Sequence, residues 1–109
     1  MTSIPSFHAH IYYDEKSRTA AAELREELES RFTIDMGRWH DKPIGPHPVS
    51  FYRVAFAADQ YSGLTQWLML NRRSLTVLIH PETGDDLADH TKHAMWMGEV
   101  LVLNLDMFR

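Results

Sequence analysis

The segment spanning residues 7–13 alternates between two kinds of side chain, and no other feature of the sequence constrains the fold as strongly. One set is apolar or aromatic, whereas the other contains two histidines. The two sets are Phe7, Ala9, Ile11 and Tyr13 on one side, and His8, His10 and Tyr12 on the other. Because successive side chains of a strand point to opposite faces, this period of two predicts a β-strand with one face against a core.

Two amphipathic helices and three more strands are expected to follow. Asp14 is expected to cap the first helix and Asp59 the second, and apolar residues recur at three- and four-residue spacing within both. The helices are predicted over residues 15–32 and 60–72, with Ala21, Leu24, Leu28, Phe32, Tyr61, Leu64, Trp67, Leu68 and Met69 facing the core. Strands are predicted over residues 33–39, 49–57 and 75–80. Three prolines exclude regular structure from the loop over residues 41–48.

The last third of the chain predicts two smaller additions. Asp85 or Asp86 is expected to cap a short helix that runs toward Met97 and ends at Gly98. Residues 99–107 are then expected to form a fifth strand or an extended tail.

The order β-α-β-β-α-β predicts an α+β, ferredoxin-like sandwich with a C-terminal short helix and an extra strand. Residues 1–109 are expected to form a single domain, and a hydrophobic content of 44% excludes a disordered chain. Both helices should cover one face of the sheet, with the first and third strands central and parallel. The other face stays open unless a partner or the chain's own tail covers it.

Charge and composition exclude several classes of function. A net charge of −4 argues against nucleic-acid binding, and the lack of cysteine excludes disulfides, thiolate nucleophiles and Cys-type metal sites. The N-terminal residues lack the pattern of a signal peptide, and no apolar stretch approaches the roughly 20 residues needed to span a membrane. We therefore expect a soluble cytoplasmic protein.

The chain contains seven histidines, and the expected topology brings most of them together. If the starts of the first and third strands lie beside the ends of the second and fourth, five histidines meet at one end of the sheet. These are His8, His10, His40, His47 and His80. His90 and His93 form an H-x-x-H pair on the short helix, which is compatible with metal binding or with an ordinary surface pair.

A cluster of imidazoles without thiolates suits iron(II), zinc, copper or nickel, bound either by histidines alone or by two histidines and one carboxylate. The sequence does not choose among the neighbouring carboxylates, which are Asp41, Glu82, Asp85, Asp86, Asp89 and Glu99. A pocket for a flat substrate could be lined by aromatic residues that are equally compatible with an ordinary core. These residues are Tyr12, Trp39, Tyr52 and Trp96.

Four motifs in this order resemble those of the DOPA 4,5-dioxygenase family of small aromatic-ring-cleaving proteins. They are FHAHIYY at residues 7–13, GPHP at 45–48, HPETG at 80–84 with DHT at 89–91, and AMWMG at 94–98. The resemblance covers about residues 5–107. It implies a ferredoxin-like fold, a non-haem iron(II) centre, and extradiol cleavage by O2 of a catechol such as L-DOPA. The histidines that it carries over are His8, His10, His47, His80 and His90.

We assign the roles within this site as a hypothesis. His10, His47 and His80 are expected to bind iron(II), for which zinc or nickel could substitute in a purified sample. His8, His40 and His90 are expected to act as acid–base residues that move protons.

Two other hypotheses about the function of the histidines stay open. A non-catalytic dimeric ferredoxin-like module could use the histidine cluster to bind a metal or a small aromatic ligand, and the histidines could also be purely structural. We expect a homodimer because Tyr52, Val54 and Phe56 should make a second face of the third strand apolar. The segment over residues 100–105 could instead cover that face within one chain.

Overall fold

The computed structural model describes residues 3–109, so Met1 and Thr2, on which the expected lack of a signal peptide partly rests, lie outside the described residues. Five strands and three helices follow one another along the chain, and a short 3-10 turn comes last. They are β1 (Ser6–Tyr12), α1 (Arg18–Arg31), β2 (Asp35–Met36), β3 (Phe51–Ala57), α2 (Ala58–Asn71), β4 (Val77–Pro81), α3 (Asp86–Asp89), β5 (Met95–Met97) and the turn Asp106–Phe108.

The five strands form one sheet in the order β2-β3-β1-β4-β5, and every neighbouring pair is antiparallel. Its first four strands have the split arrangement of a ferredoxin-like sheet, which confirms the predicted fold with its short C-terminal helix and extra strand. The expectation that β1 and β3 are parallel is wrong, since Ser6 pairs with Ala57 and Tyr12 with Phe51. The reason is that α1 returns the chain to run parallel to β1, and the loop after β2 then reverses it.

Helices α1 and α2 cover one face of the sheet. Leu24 and Leu28 of α1 and Leu64 and Leu68 of α2 are fully buried in this core. They pack against the alternate strand residues, which include Phe7, Ala9, Ile11, Tyr52, Val54, Phe56, Val77 and Ile79. The alternation predicted for β1 is therefore confirmed. Met69, which was expected to face the core, is 60% exposed.

The ends of several elements differ from expectation for local reasons. Asp14 does not begin α1, because its carboxylate accepts hydrogen bonds from the backbone and hydroxyl of Ser17 and closes a separate turn. Strand β2 is reduced to two residues, since the chain turns after Met36 to bring Gly37 against β3. Asp85 caps α3 by accepting from the Ala88 amide, as predicted.

The C-terminal segment departs most from the prediction. Helix α3 ends at Asp89, and the fifth strand lies at Met95–Met97 and not within residues 99–107. Those later residues form an unpaired extended tail, whose Leu101 and Leu103 pack on the second face of the sheet. They contact a buried cluster formed by Tyr12, Phe51 and Leu78. This is the alternative in which the chain covers part of that face itself.

The apolar side of β3, from which a homodimer was expected, is covered by the helices. Tyr52, Val54 and Phe56 lie on the helix-covered face, because each pairs with a β1 residue of the core set. The opposite side of β3 presents Phe51 and Arg53.

Among residues 3–109, no helix is long and apolar enough to cross a membrane.

Candidate metal centre

Strand register alone brings three histidines to the face of the sheet that the helices leave open. His8 on β1 pairs directly with His80 on β4, and directly paired residues share a face. His10 lies two residues further along β1 and therefore points to the same side. His10 and His80 are only 4% and 1% exposed, so two imidazoles are buried there.

His47 reaches this face from the proline loop. His40 pairs with Phe51 through two backbone hydrogen bonds of 2.9 Å, so the intervening loop leaves and rejoins the sheet at one point. Gly45 adopts a φ of +60°, which favours glycine, and allows the turn that pairs Ile44 with His47. The ring of His47 then lies 4.1 Å from the ring of His10, measured between centroids.

His90 completes the cluster from the end of α3, where it is the residue that caps the helix. Its ring centroid lies 4.2 Å from that of His80 and 4.7 Å from that of Phe108. The short helix therefore adds a fifth imidazole to those of β1, β4 and the proline loop. We define the histidine cluster as His8, His10, His47, His80 and His90.

Four of these five imidazoles are held at their Nδ1 atoms. The partners are Glu82 for His8 at 3.0 Å, the Tyr12 hydroxyl for His47 at 2.7 Å, the Pro81 carbonyl for His80 at 2.9 Å and the Asp86 carbonyl for His90 at 2.7 Å. Carbonyls only accept hydrogen bonds, so His80 and His90 donate from Nδ1. Such a contact at Nδ1 fixes the orientation of the ring, as it does in metal-binding histidines whose other nitrogen binds the metal.

His10 is the exception within the cluster. Its Nε2 lies 3.0 Å from Nε2 of His80, and it donates to that atom because His80 carries its own proton on Nδ1. Among the described residues, the buried Nδ1 of His10 has no hydrogen-bond partner. A polar atom buried without a protein partner needs one from a water, an ion or a ligand, and a metal bound at this nitrogen would supply it.

His8, His10, His47 and His80 are neutral at physiological pH. Burial, reinforced by repulsion from neighbouring histidines, lowers the pKa of His8 to about 4 and that of His47 to about 3. The same two causes lower the pKa of His10 well below its usual value, and burial lowers that of His80. Neutral imidazole is the form that binds metal, so none of these four side chains has to lose a positive charge before a metal binds at pH 7.

Two overlapping groups of three have ligand atoms within 4.8 Å of one another. The first contains His8, His10 and His80, and the second contains His10, His47 and His90. The residues therefore fit a divalent transition metal held by nitrogen donors. The predicted ligands His10, His47 and His80 all belong to the cluster but are divided between the two groups.

His40 lies beside the cluster and not within it. It lines a cavity of about 380 Å³ together with His10, His47 and Phe51. This cavity is open to solvent and adjoins the cluster, so a small molecule placed there would contact two of the cluster histidines.

Several of the predicted site residues lie elsewhere. Tyr52 is wrong as a pocket residue, because it is fully buried on the helix side, where its hydroxyl donates to the Ala21 carbonyl at 2.7 Å. Trp39 also packs on that core, with the Arg18 guanidinium 4.0 Å from its ring centroid. Of the other predicted aromatic residues, Tyr12 contacts His47, and Trp96 stacks on Tyr12 at 6.0 Å.

His93 lies outside the histidine cluster that contains His90, and most of the candidate carboxylates also lie outside it. His93 turns to the buried Asp89, whose Oδ1 lies 3.1 Å from its Nδ1. Asp41 pairs with Arg18, and Asp85 caps α3. Among residues 3–109, only Glu82 has a carboxylate within 4.0 Å of cluster histidines, at 3.0 Å from His8 and 3.7 Å from His80.

The sequence reasoning missed three residues that border the site. The ring centroid of Phe51 lies 4.2 Å from that of His47, and the ring centroid of Phe108 lies 4.7 Å from that of His90. The third residue, Arg53, lines the cavity. Phe51 and Arg53 alternate with the core residues of β3, so the correct face assignment of that strand would have identified both. No pattern in the sequence indicated Phe108, which arrives through the C-terminal tail.

The similarity to known proteins extends over nearly the whole chain. The model of the Dopa 4,5-dioxygenase family matches residues 7–107. An uncharacterised 21.2 kDa protein of Botryotinia fuckeliana is 36% identical and a DOPA 4,5-dioxygenase of Amanita muscaria 31% identical, each over 95% of this chain. The chain spans 63% and 50% of their respective lengths. A crystal structure of a candidate dioxygenase from Nostoc punctiforme has 51% identity and a TM-score of 0.93, covering 94% of this chain and 90% of that one.

Proposed function

Because this chain belongs to the Dopa 4,5-dioxygenase family, we propose that it is a non-haem iron(II) enzyme that opens a catechol ring, such as that of L-DOPA, by extradiol cleavage with O2. The observation that carries the proposal is the histidine cluster itself. Its imidazoles, four of which have a partner at Nδ1, lie beside a cavity that is open to solvent. Such an arrangement serves metal binding better than core packing, which does not require five adjacent imidazoles.

We assign iron binding to His10, His47 and His80. Iron bound there would bring the two catechol oxygens and O2 together and let electrons pass from the ring to oxygen. The Pro81 carbonyl fixes the ring of His80, and the Tyr12 hydroxyl fixes that of His47. These contacts orient the ligands before substrate arrives, which is the usual role of such supporting hydrogen bonds.

His8 is suited to accept the proton that a catechol hydroxyl loses on binding. Its Nδ1 lies 3.0 Å from a Glu82 carboxylate oxygen, so the carboxylate would stabilise the imidazolium formed by proton transfer. His90 has the same arrangement with the Asp86 carbonyl, and His40 lies at the cavity wall. We propose these three as the residues that move protons, with Phe51 and Phe108 limiting access of water.

The test is anaerobic reconstitution with iron(II), followed by addition of a catechol and air. We expect O2 consumption and a coloured ring-opened product whose mass equals substrate plus two oxygen atoms. His80→Ala should lose iron and activity together, whereas His8→Ala should keep iron and lose turnover. His93→Ala serves as the matched control, because this histidine lies outside the cluster and should keep both properties.

Two outcomes would contradict the proposal. Full iron occupancy without O2 consumption across a panel of catechols would favour a binding module over an enzyme. If variants of His10, His47 and His80 each kept full iron occupancy, the ligand assignment would be wrong even if the wild-type protein were active.

A further inference from the structure

Two arginines line the cavity beside the histidine cluster. Arg38 and Arg53 both line it, together with His10, His40 and His47. Within the described residues, no aspartate or glutamate lines this cavity. A molecule that reaches the cluster from this side therefore meets two guanidinium groups and no carboxylate.

The fold fixes where both arginines lie. Arg53 pairs with His10 across β1 and β3, so it leaves the sheet on the same face as the cluster. Arg38 follows Gly37, whose amide donates to the Arg53 carbonyl at 2.7 Å. A Cβ atom at position 37 would lie 3.0 Å from that carbonyl oxygen, so glycine permits the close approach that holds Arg38 next to Arg53.

Neither guanidinium has a partner among the residues that the structure describes. Over residues 3–109, neither Arg38 nor Arg53 forms an ion pair within 4.0 Å or a side-chain hydrogen bond. By contrast, Arg18 pairs with Asp41 and Arg73 with Glu27. Two unpaired guanidinium groups beside an open cavity are suited to bind a carboxylate, which accepts their parallel N–H donors.

We propose that Arg38 and Arg53 bind the carboxylate of the substrate, and that the preferred substrate is a dihydroxyphenyl carboxylate without an α-ammonium group. This inference rests on the proposed function for the identity of the reacting ring. The lining offers donors for a carboxylate but no anionic group for an ammonium. A plain side-chain carboxylate therefore satisfies the cavity better than an amino acid or an amine does.

The first experiment measures binding to the metal-free protein without oxygen, so that it does not depend on turnover. The probes are 3-(3,4-dihydroxyphenyl)propanoate, L-DOPA, dopamine and the neutral 4-ethylcatechol, each titrated by calorimetry. We expect the propanoate to bind most tightly, and Arg53→Gln or Arg38→Gln to weaken it about 10-fold, since charge-assisted hydrogen bonds are lost. Binding of 4-ethylcatechol should not change in either variant.

Two further variants control for charge alone. Arg53→Lys keeps the charge but not the planar pair of donors, so it should restore only part of the affinity. Lys16→Gln removes one positive charge at an exposed position outside the cavity and should bind all four probes like the wild type. Equal affinity for the propanoate and 4-ethylcatechol in the wild type, or unchanged propanoate binding in both arginine variants, would overturn the inference.

The second experiment repeats the comparison as KM for O2 consumption with iron-loaded protein. A raised KM for the propanoate alone in the arginine variants would support the inference. Arginine-dependent binding without any O2 consumption would refute the proposed function and leave the carboxylate site standing. Turnover of all catechols, with a KM that neither arginine variant changes, would support the proposed function and refute the carboxylate site.

Discussion

Acidification of the metal-free protein is the perturbation whose effect follows most directly from the histidine cluster. In the folded chain, burial lowers the pKa of His8 to about 4 and that of His47 to about 3, against a usual value of 6.5. Between pH 6.5 and about 4, the unfolded chain therefore binds more protons than the folded chain. Stability then rises with pH over this window and is lost as the pH falls.

The magnitude follows from the two shifts. Near pH 5.5, each of these histidines takes up about 0.9 proton on unfolding, which corresponds to a slope of roughly 1.2 kcal/mol per pH unit. Solvent screens the half-buried His8, so the two together cost at most about 2 kcal/mol between pH 6.5 and 5.5, a sizeable part of the total stability of many domains. The lowered pKa values of His10 and His80 act in the same direction. The raised pKa of Glu82 opposes them.

The assay is urea unfolding of the chelator-treated protein, followed by circular dichroism at intervals from pH 5.5 to 7.5. We expect the free energy of unfolding to fall steeply below pH 6.5. Variants His8→Gln and His47→Gln should each reduce the slope by about one proton. Ile79→Val is the matched control, because it costs roughly 0.5–1.5 kcal/mol in the core without changing any titrating group.

A slope in His8→Gln and His47→Gln equal to that of the wild type would refute the reasoning. So would a wild-type free energy that stays constant down to pH 5.5. Either result would mean that these imidazoles bind protons as readily in the folded chain as in the unfolded chain, and that burial does not keep them neutral.

Three other predictions concern single contacts. Tyr12→Phe removes the hydroxyl that fixes His47 and should weaken metal binding roughly 10-fold, measured by competition with a chromogenic chelator; unchanged affinity would show that the contact does not orient the ligand. Leu24→Ala should cost about 2–5 kcal/mol in urea unfolding, whereas Leu70→Ala, at an 87% exposed position, should cost almost nothing, and equal costs would contradict the placement of the core. Gly98→Ala should cost about 1–2 kcal/mol in the same assay, because φ is +85° there and the added Cβ would lie 3.3 Å from a threonine hydroxyl; a neutral effect would exclude this strain.

The face of β1 could be predicted from sequence because alternation is a property of the strand itself. His8 and His10 lie opposite the core residues as expected, and His47 and His80 join them. The reason given for their convergence was nevertheless wrong, because β1 and β3 are antiparallel. The histidines meet on a face of the sheet, brought there by register and by the proline loop, and not at one end of parallel strands.

The misplaced residues were those whose position depends on tertiary pairing. Both sides of strand β3 carry an aromatic residue, Phe51 on one and Tyr52 on the other, and Tyr52 was placed on the wrong side because the charge of Arg53 was not used to orient the strand. The fifth strand was expected too late in the chain because residues 99–105 also have a β-prone, apolar sequence. They remain unpaired, and Met95–Met97 pairs with β4 instead.

Strand β1 carries packing residues and site residues in strict alternation. Every residue in its central part therefore either packs in the core or belongs to the site. Inserting or deleting one residue there would turn His8 and His10 into the core and expose Ala9 and Ile11 on the site. Folding and chemistry would therefore fail together. Insertions and deletions can be accommodated only in the loops. Differences in substrate specificity among related proteins should therefore arise in the loops and on the exposed side of β3, and not in this central strand.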